Sequence, residues 1–220
     1  MKRKVIKGLA LVLFTALFLT GCTSIKEKLG VAFPVKEYVE SVLETVYYGE
    51  YENYQKYTEE STAAAKAWHE QYMEEEAVYF AEYLHIETVS KKGEERLEKL
   101  IETLYKQVRF EVQEPIHNDE GQLVEVVVYP VDFFNEAGEE LNEYIKNFEQ
   151  ALAGGEYDTM SSEEQKAKYE GDLLAICEKY KEIPASTYQI SVNLILKELE
   201  GGYYQITNGF EKLDETVISY

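Results

Sequence analysis

Tyr48, Tyr51, Tyr54 and Tyr57 recur every three residues, and Tyr47 lies four before Tyr51. They belong to a set of 19 tyrosines in a chain with a single Trp. A tyrosine offers a broad apolar face and a polar tip, so a run of them suits stacking on a glycan or gripping a protein partner. The same residues can stand in for Phe in a shallow core and at its rim. Tyr48, Tyr51, Tyr54 and Tyr57 are therefore the candidate ligand-binding residues, expected to line a concave site between helix and sheet.

The other groups capable of chemistry do not assemble into a catalytic pattern. His69-Glu70 opens like a zinc-protease helix motif, but the residue four after His69 is Met73, so the second ligand is missing and a surface His–Glu pair is expected. His85 follows Glu82 by three near a helix end, where the dipole favours an imidazole. His117 and Asp119 fall in a turn. Glu74-Glu75-Glu76 could hold carboxylates for acid–base work. Glycoside chemistry needs a pair at roughly 5–9 Å. With 42 acids in the chain such pairs arise by chance, and a solvated face is expected. No calcium loop, phosphate-cradling glycine loop, nucleophile elbow or cysteine pair for zinc is present. No catalytic residue, metal or cofactor is expected. Cys177 sits among Leu173, Leu174, Ile176 and Tyr180 at helical spacing and reads as a buried small hydrophobe.

One cysteine does carry a chemical signature. Lys2, Arg3, Lys4 and Lys7 precede an apolar run from Leu9 to Leu19, and the run ends in Leu19-Thr20-Gly21-Cys22. Basic start, short apolar stretch and small residues are those of an export signal, and the stretch is too short for a comfortable membrane span. The ending resembles the bacterial lipobox, in which the cysteine thiol receives a lipid and becomes the mature N-terminus. Residues 1–21 are expected to be a signal peptide, and 22–32 the lipidated Cys22 with a polar tether. The folded part is then 33–220. Each buried methylene of the acyl chains contributes about 0.8 kcal/mol, enough for firm anchoring with two or three chains. Removing Cys22 from the count leaves only Cys177, so no intramolecular disulfide can form.

The net charge is −20. Four of the 22 basic residues and none of the 42 acids lie in residues 1–21, so the remainder carries −24. This excludes a nucleic-acid partner on electrostatic grounds, since phosphate backbones need clustered Lys and Arg. A single apolar run excludes a multipass membrane protein. With 45% apolar residues the chain has material for a core.

The elements that must position these residues follow from period. Pro34 opens a helix with Val35, Val39, Val42, Leu43 and Val46 on one face, reaching about Tyr48. Tyr51 to Tyr57 continues it after Gly49-Glu50. Ser61 or Thr62 caps a helix to about Leu84, with Ala64, Trp68, Tyr72, Tyr79, Phe80 and Tyr83 inward. A third helix spans about Lys92 to Tyr105. The period then becomes two: Val108 to Val112, a turn at Asn118–Gly121, and a strand from Leu123 to Phe133. Helices over about 136–152 and 162–181 follow, then a strand with Tyr188, Ile190, Val192, Leu194 and Leu196 on one face. A last strand covers Tyr203 to Thr207, and a short segment around Leu213 and Val217 closes the chain. Gly49-Glu50-Tyr51 recurs as Gly155-Glu156-Tyr157, which suggests a tandem α-α-β-β repeat with halves 33–133 and 134–220.

The segment Pro34 to Thr58 with its Gly-Glu-Tyr step, taken with the lipobox, resembles the opening of uncharacterised Firmicute surface lipoproteins. That resemblance implies surface attachment and an NTF2-like or cystatin-like α+β domain, and it brings no catalytic residues. The expected fold is thus α+β, with helices packed on a curved antiparallel sheet of about four strands. The residues expected in its core are Val39, Val42, Leu43, Val124, Val126, Val128, Ile190, Val192 and Leu194. The expected function is a non-catalytic binding module for a small-molecule, glycan or protein ligand. It would be held by lipid on Cys22 at the extracytoplasmic face of the cell membrane. The alternatives are an envelope enzyme using a carboxylate in an NTF2-like pocket, or a structural accessory subunit of an envelope complex.

Overall fold

A computed structural model describes residues 33–58 and 60–218. The signal peptide, the lipidated Cys22 and the tether expected over 1–32 lie outside the described residues. The order is α1 (Val35–Leu43), a π-helical segment (Glu44–Tyr48), α2 (Tyr54–Tyr57), α3 (Thr62–Tyr83), α4 (Lys91–Tyr105), β1 (Arg109–Val112), β2 (Ile116–Asn118), β3 (Gly121–Tyr129), α5 (Phe133–Ala153), α6 (Ser162–Lys179), β4 (Ile190–Glu198), β5 (Tyr204–Asn208) and α7 (Phe210–Val217). Among the described residues, seven α-helices pack against one open antiparallel sheet. No helix in the described residues is long and apolar enough to cross a membrane.

The period-two segments pair as their pattern demands. The strand order is β1-β3-β4-β5, and the three-residue β2 also pairs with β3. Val124 faces Leu194, Val126 faces Val192 and Val128 faces Ile190, which puts all six on one face. Phe110 and Val112 of β1 join them opposite Val128 and Val126. β3 precedes α5 and β4 follows α6, so strands from both halves of the chain share one sheet. Val39, Val42, Leu43, Val124, Val126, Val128, Val192 and Leu194 are buried as expected, while Ile190 is half-buried. The opposite face bears exposed Arg109, Glu111, Glu125, Asn193 and Lys197. There the Arg109 guanidinium lies 4.5 Å from the Tyr129 ring centre, and the Tyr129 hydroxyl donates to Glu111 at 2.9 Å. Val127 is buried on this side, so cover on both faces is confined to the middle of β3.

Local chemistry sets the boundaries. Asn118 Oδ1 accepts from the backbone N–H groups of Glu120 and Gly121, forming the turn into β3. Gly121 has φ +139°, and a Cβ there would sit 2.1 Å from the Leu196 carbonyl oxygen, so only glycine fits. The strand expected to run to Phe133 stops at Tyr129, because Pro130 has no N–H to continue the ladder and Phe133 opens α5. Ser61, Ser90 and Ser161 each accept from the third residue onward, and Ser161 with Glu164 completes a capping box. Gly49 and Gly155 are both left-handed, with φ +69° and +77°, and both follow a helix. The recurrent Gly-Glu-Tyr therefore does the same helix-stopping work twice.

α3 turns a different face inward from the one expected. Tyr72 and Phe80 are buried, but their companions are Ala65, His69, Met73, Glu76, Ala77 and Ala81. Val78 and Tyr83 are exposed. The buried stripe carries a His and a Glu and the wet one carries apolar residues, so hydrophobic period misreads the helix.

Candidate functional site

The first helix does not run as a plain α-helix to Tyr48. At Glu44 it widens into a π-helical turn whose carbonyl accepts from the N–H of Gly49, and left-handed Gly49 then redirects the chain. The Thr45 hydroxyl donates to the Glu50 carbonyl at 2.9 Å, and the Asn53 amide donates to Glu44 Oε2 at 2.8 Å. Thr45 and Asn53 thus tie the bend to its own helix, and the bend fixes where each tyrosine of the run points.

The four candidate tyrosines separate on this scaffold. The Tyr48 hydroxyl donates to the Val108 carbonyl at 2.7 Å, and its ring meets Phe110. Tyr51 packs edge-on against His69. Tyr54 is fully buried against Trp68, while Tyr57 meets Phe33 at the start of the described chain. Tyr48, Tyr51 and Tyr57 are half-buried and keep part of each ring at the surface. Each of the four meets a different partner. Burial, reinforced by Glu44, pushes the Tyr48 phenol up to about 12. Burial, followed by neighbouring acids, also raises Tyr51 and Tyr57. These groups therefore act as neutral hydrogen-bonding rings, not as phenolates.

His69 is not a surface residue. It is buried, and its Nδ1 lies 2.9 Å from the Val46 carbonyl, which can only accept, so Nδ1 carries the proton. The other side of the imidazole abuts Gly49, where an added Cβ would lie 3.0 Å from Nε2. Glu76, expected on a solvated face, is 1% exposed and accepts from the Tyr105 hydroxyl at 2.8 Å. Asp214 of α7 is likewise buried and accepts from Tyr47 at 3.2 Å and from Tyr72. The rings of Tyr47, Tyr72 and Tyr105 meet one another nearly edge-on or tilted. Tyr47 also stacks on Phe110 at 5.1 Å and on Phe210. These rings come from the π-helical segment, α3, α4, β1 and α7 and pack into one cluster. Sequence reasoning missed Glu76 and Asp214. An acid beside other acids, as both are in Glu74-Glu75-Glu76 and Asp214-Glu215, gives no sign that a tyrosine hydroxyl from another element will reach it.

The remaining chemical groups are quiet. Cys177 is fully buried, and burial, followed by Glu178, pushes its thiol up to about 12, away from nucleophilic character. Among the described residues no group of three or more His, Cys, Asp or Glu could hold a metal ion.

Comparison with known proteins finds no matching family model and no matching curated relative. Among solved structures, the chain is similar to the crystal structure of ycdA, a candidate lipoprotein from Bacillus subtilis, at 16% identity with a TM-score of 0.56. The match covers 84% of this chain and 56% of that one, so this chain spans just over half the length of its structural neighbour. At that identity the likeness is one of fold.

Proposed function

We propose that the chain is a lipid-anchored protein of the extracytoplasmic membrane face whose folded body binds a ligand or partner without catalysing a reaction. One observation carries the reading: basic residues, a short apolar run and Leu19-Thr20-Gly21-Cys22 stand eleven residues ahead of the body that begins at Phe33. The fold shared with a candidate lipoprotein supports it. So does the use of the buried carboxylates and the thiol as internal partners and filling. In this reading the body is kin to NTF2-like and cystatin-like domains, and the tyrosine face is reduced to Tyr48, Tyr51 and Tyr57, since Tyr54 is enclosed.

Intact mass spectrometry of the membrane-extracted protein tests the anchor. The expected mass is that of residues 22–220 plus a diacylglyceryl group, and Cys22→Ser is expected to lose the lipid mass and keep residues 1–21 attached. A mature chain starting elsewhere, or a lipid mass retained in Cys22→Ser, overturns the reading.

A further inference from the structure

The sequence of α4 interleaves its charges, and the helix sorts them. Lys92, Arg96 and Lys99 fall at i, i+4 and i+7, so they form one basic stripe about 10 Å long at 1.5 Å per residue. Lys181, just past α6, faces the stripe across a groove of about 490 Å³ between α4 and α6. The other charges on its wall are Glu95 and Glu178, which leaves a surplus of two positive charges. This inverts the sign of a chain whose net charge is −20.

The cations compete for too few partners. Arg96 Nε donates to Glu178 Oε1 at 2.8 Å. Arg96 foremost, then Lys181 and Lys99, hold the Glu178 carboxyl below the usual carboxylate range, so three cations converge on one carboxylate. Among the described residues Lys92, Lys99 and Lys181 make no ion pair within 4 Å. The walls are also held in place. The Thr103 hydroxyl donates to the Lys99 carbonyl at 2.7 Å, the Gln107 amide donates to the Lys181 carbonyl, and buried Leu100 forms the floor.

We propose that this groove binds a compact phosphate-bearing anion. A phosphate ester carries about two negative charges at neutral pH on one group, which matches the surplus. The volume is that of a small-molecule site. Outside the groove the strongly acidic body repels an extended polyanion, which argues for a compact ligand over a polymer. The site shares no lining residue with the tyrosine segment and stands whether or not the chain is lipid-anchored.

The test uses the full chain in uncharged detergent micelles, titrated by calorimetry with inorganic tripolyphosphate and, separately, with micelles doped with phosphatidic acid. The variant Lys99→Gln/Lys181→Gln removes two cations and leaves the Arg96–Glu178 pair to hold α4 on α6. Saturable binding that weakens tenfold or more in this variant, with an unchanged melting temperature, is expected. A response to tripolyphosphate identifies a soluble phosphate-bearing anion as the source, and a response to the doped micelles alone identifies a lipid headgroup. Absence of saturable binding of either probe, or equal binding by the variant, overturns the proposal. If the double variant does not fold, Lys99→Gln alone is measured at its exposed position, and a loss of less than about threefold overturns it.

Discussion

Tyr105 and Glu76 show how one hydrogen bond can fix which side of a helix is inside. The Tyr105 hydroxyl donates to Glu76 at 2.8 Å in a site where Glu76 is 1% exposed. A buried carboxyl left with fewer donors costs more than its neutral surroundings return. Tyr105→Phe keeps the ring and deletes the donor, so it is expected to destabilise the protein by about 1–2 kcal/mol in denaturant melts. Val78→Ser, on the exposed side of the same helix, is expected to stay within about 0.5 kcal/mol. Equal effects at the two positions would mean that α3 is turned as its apolar residues suggested. That face could not be read from the sequence, because its decisive residues are polar and their partners arrive from elsewhere: Tyr105 from α4, and the Val46 carbonyl for His69. The valines of β3 were legible because each side chain's fate depends only on its parity. For the tyrosine run, spacing showed that the rings recur but not that the π-helical turn and left-handed Gly49 would send them to Phe110, His69, Trp68 and Phe33.

Helix ends were legible where a cap or a proline states them, as at Pro34 and Ser61, and illegible where two elements meet. The junction of α4 and α6 is the clearest case. Glu170 of α6 accepts from the Ser90 hydroxyl at 2.6 Å and from its backbone N–H at 2.9 Å, while Ser90 Oγ caps Gly93 N at 3.1 Å. A carboxylate thereby sits at the N-terminus of a helix on another element, favoured by the dipole. Gly93 looks like a weak point in a helix, yet a Cβ there would lie 2.1 Å from Glu170 Oε1 and 2.9 Å from Val89 Cγ1. Helix propensity favours alanine over glycine by about 1 kcal/mol. At Gly93 the displaced, hydrogen-bonded carboxylate outweighs that gain, and Gly93→Ala is expected to lose about 1–2 kcal/mol. Gly171 in α6 has nothing within 4 Å of its would-be Cβ, so Gly171→Ala is expected to gain up to about 1 kcal/mol. Thermal melts of the two variants should move in opposite directions. A gain at Gly93 would show that Glu170 is free to swing away and does not hold the junction. The same junction positions Lys92, Arg96 and Lys99 against Lys181, a grouping invisible in sequence because Lys181 lies 82 residues beyond Lys99 and the stripe is interleaved with Glu94, Glu95 and Glu98.

Across the whole molecule, excess negative charge sets how stability responds to acid. Burial raises Glu98, and Glu74, Glu94 and other nearby acids reinforce it. Burial likewise raises Glu40, with help from Glu37, Glu44 and Glu114 against the opposing pull of Lys36. A carboxyl raised on folding takes up protons in the native state first, so stability increases as pH falls towards the ordinary glutamate value of about 4.5. Other acids act in the opposite sense. Hydrogen bonds from Arg96 lower Glu178, from Lys179 lower Glu140, and from the Ser161 backbone lower Glu164. Their contributions are complete above the unfolded value and are lost as pH falls through their lowered native values. The two sets are separated in pH, so the melting temperature is expected to rise on mild acidification from neutrality, peak near pH 5, and fall below about pH 4. Salt screens the repulsion that reinforces burial on the first limb but not the burial itself, so 0.5 M salt should raise the melting temperature at pH 7 more than at pH 5 and flatten the rise in part. The falling limb rests on short hydrogen-bonded contacts and should survive salt better. Scanning calorimetry from pH 3 to 8 at low and high salt reads both limbs. A melting temperature highest at pH 7 to 8 and indifferent to salt would mean that the acids are spread widely enough not to strain the fold, and the charge would then bear on what approaches the surface, not on how firmly the chain folds.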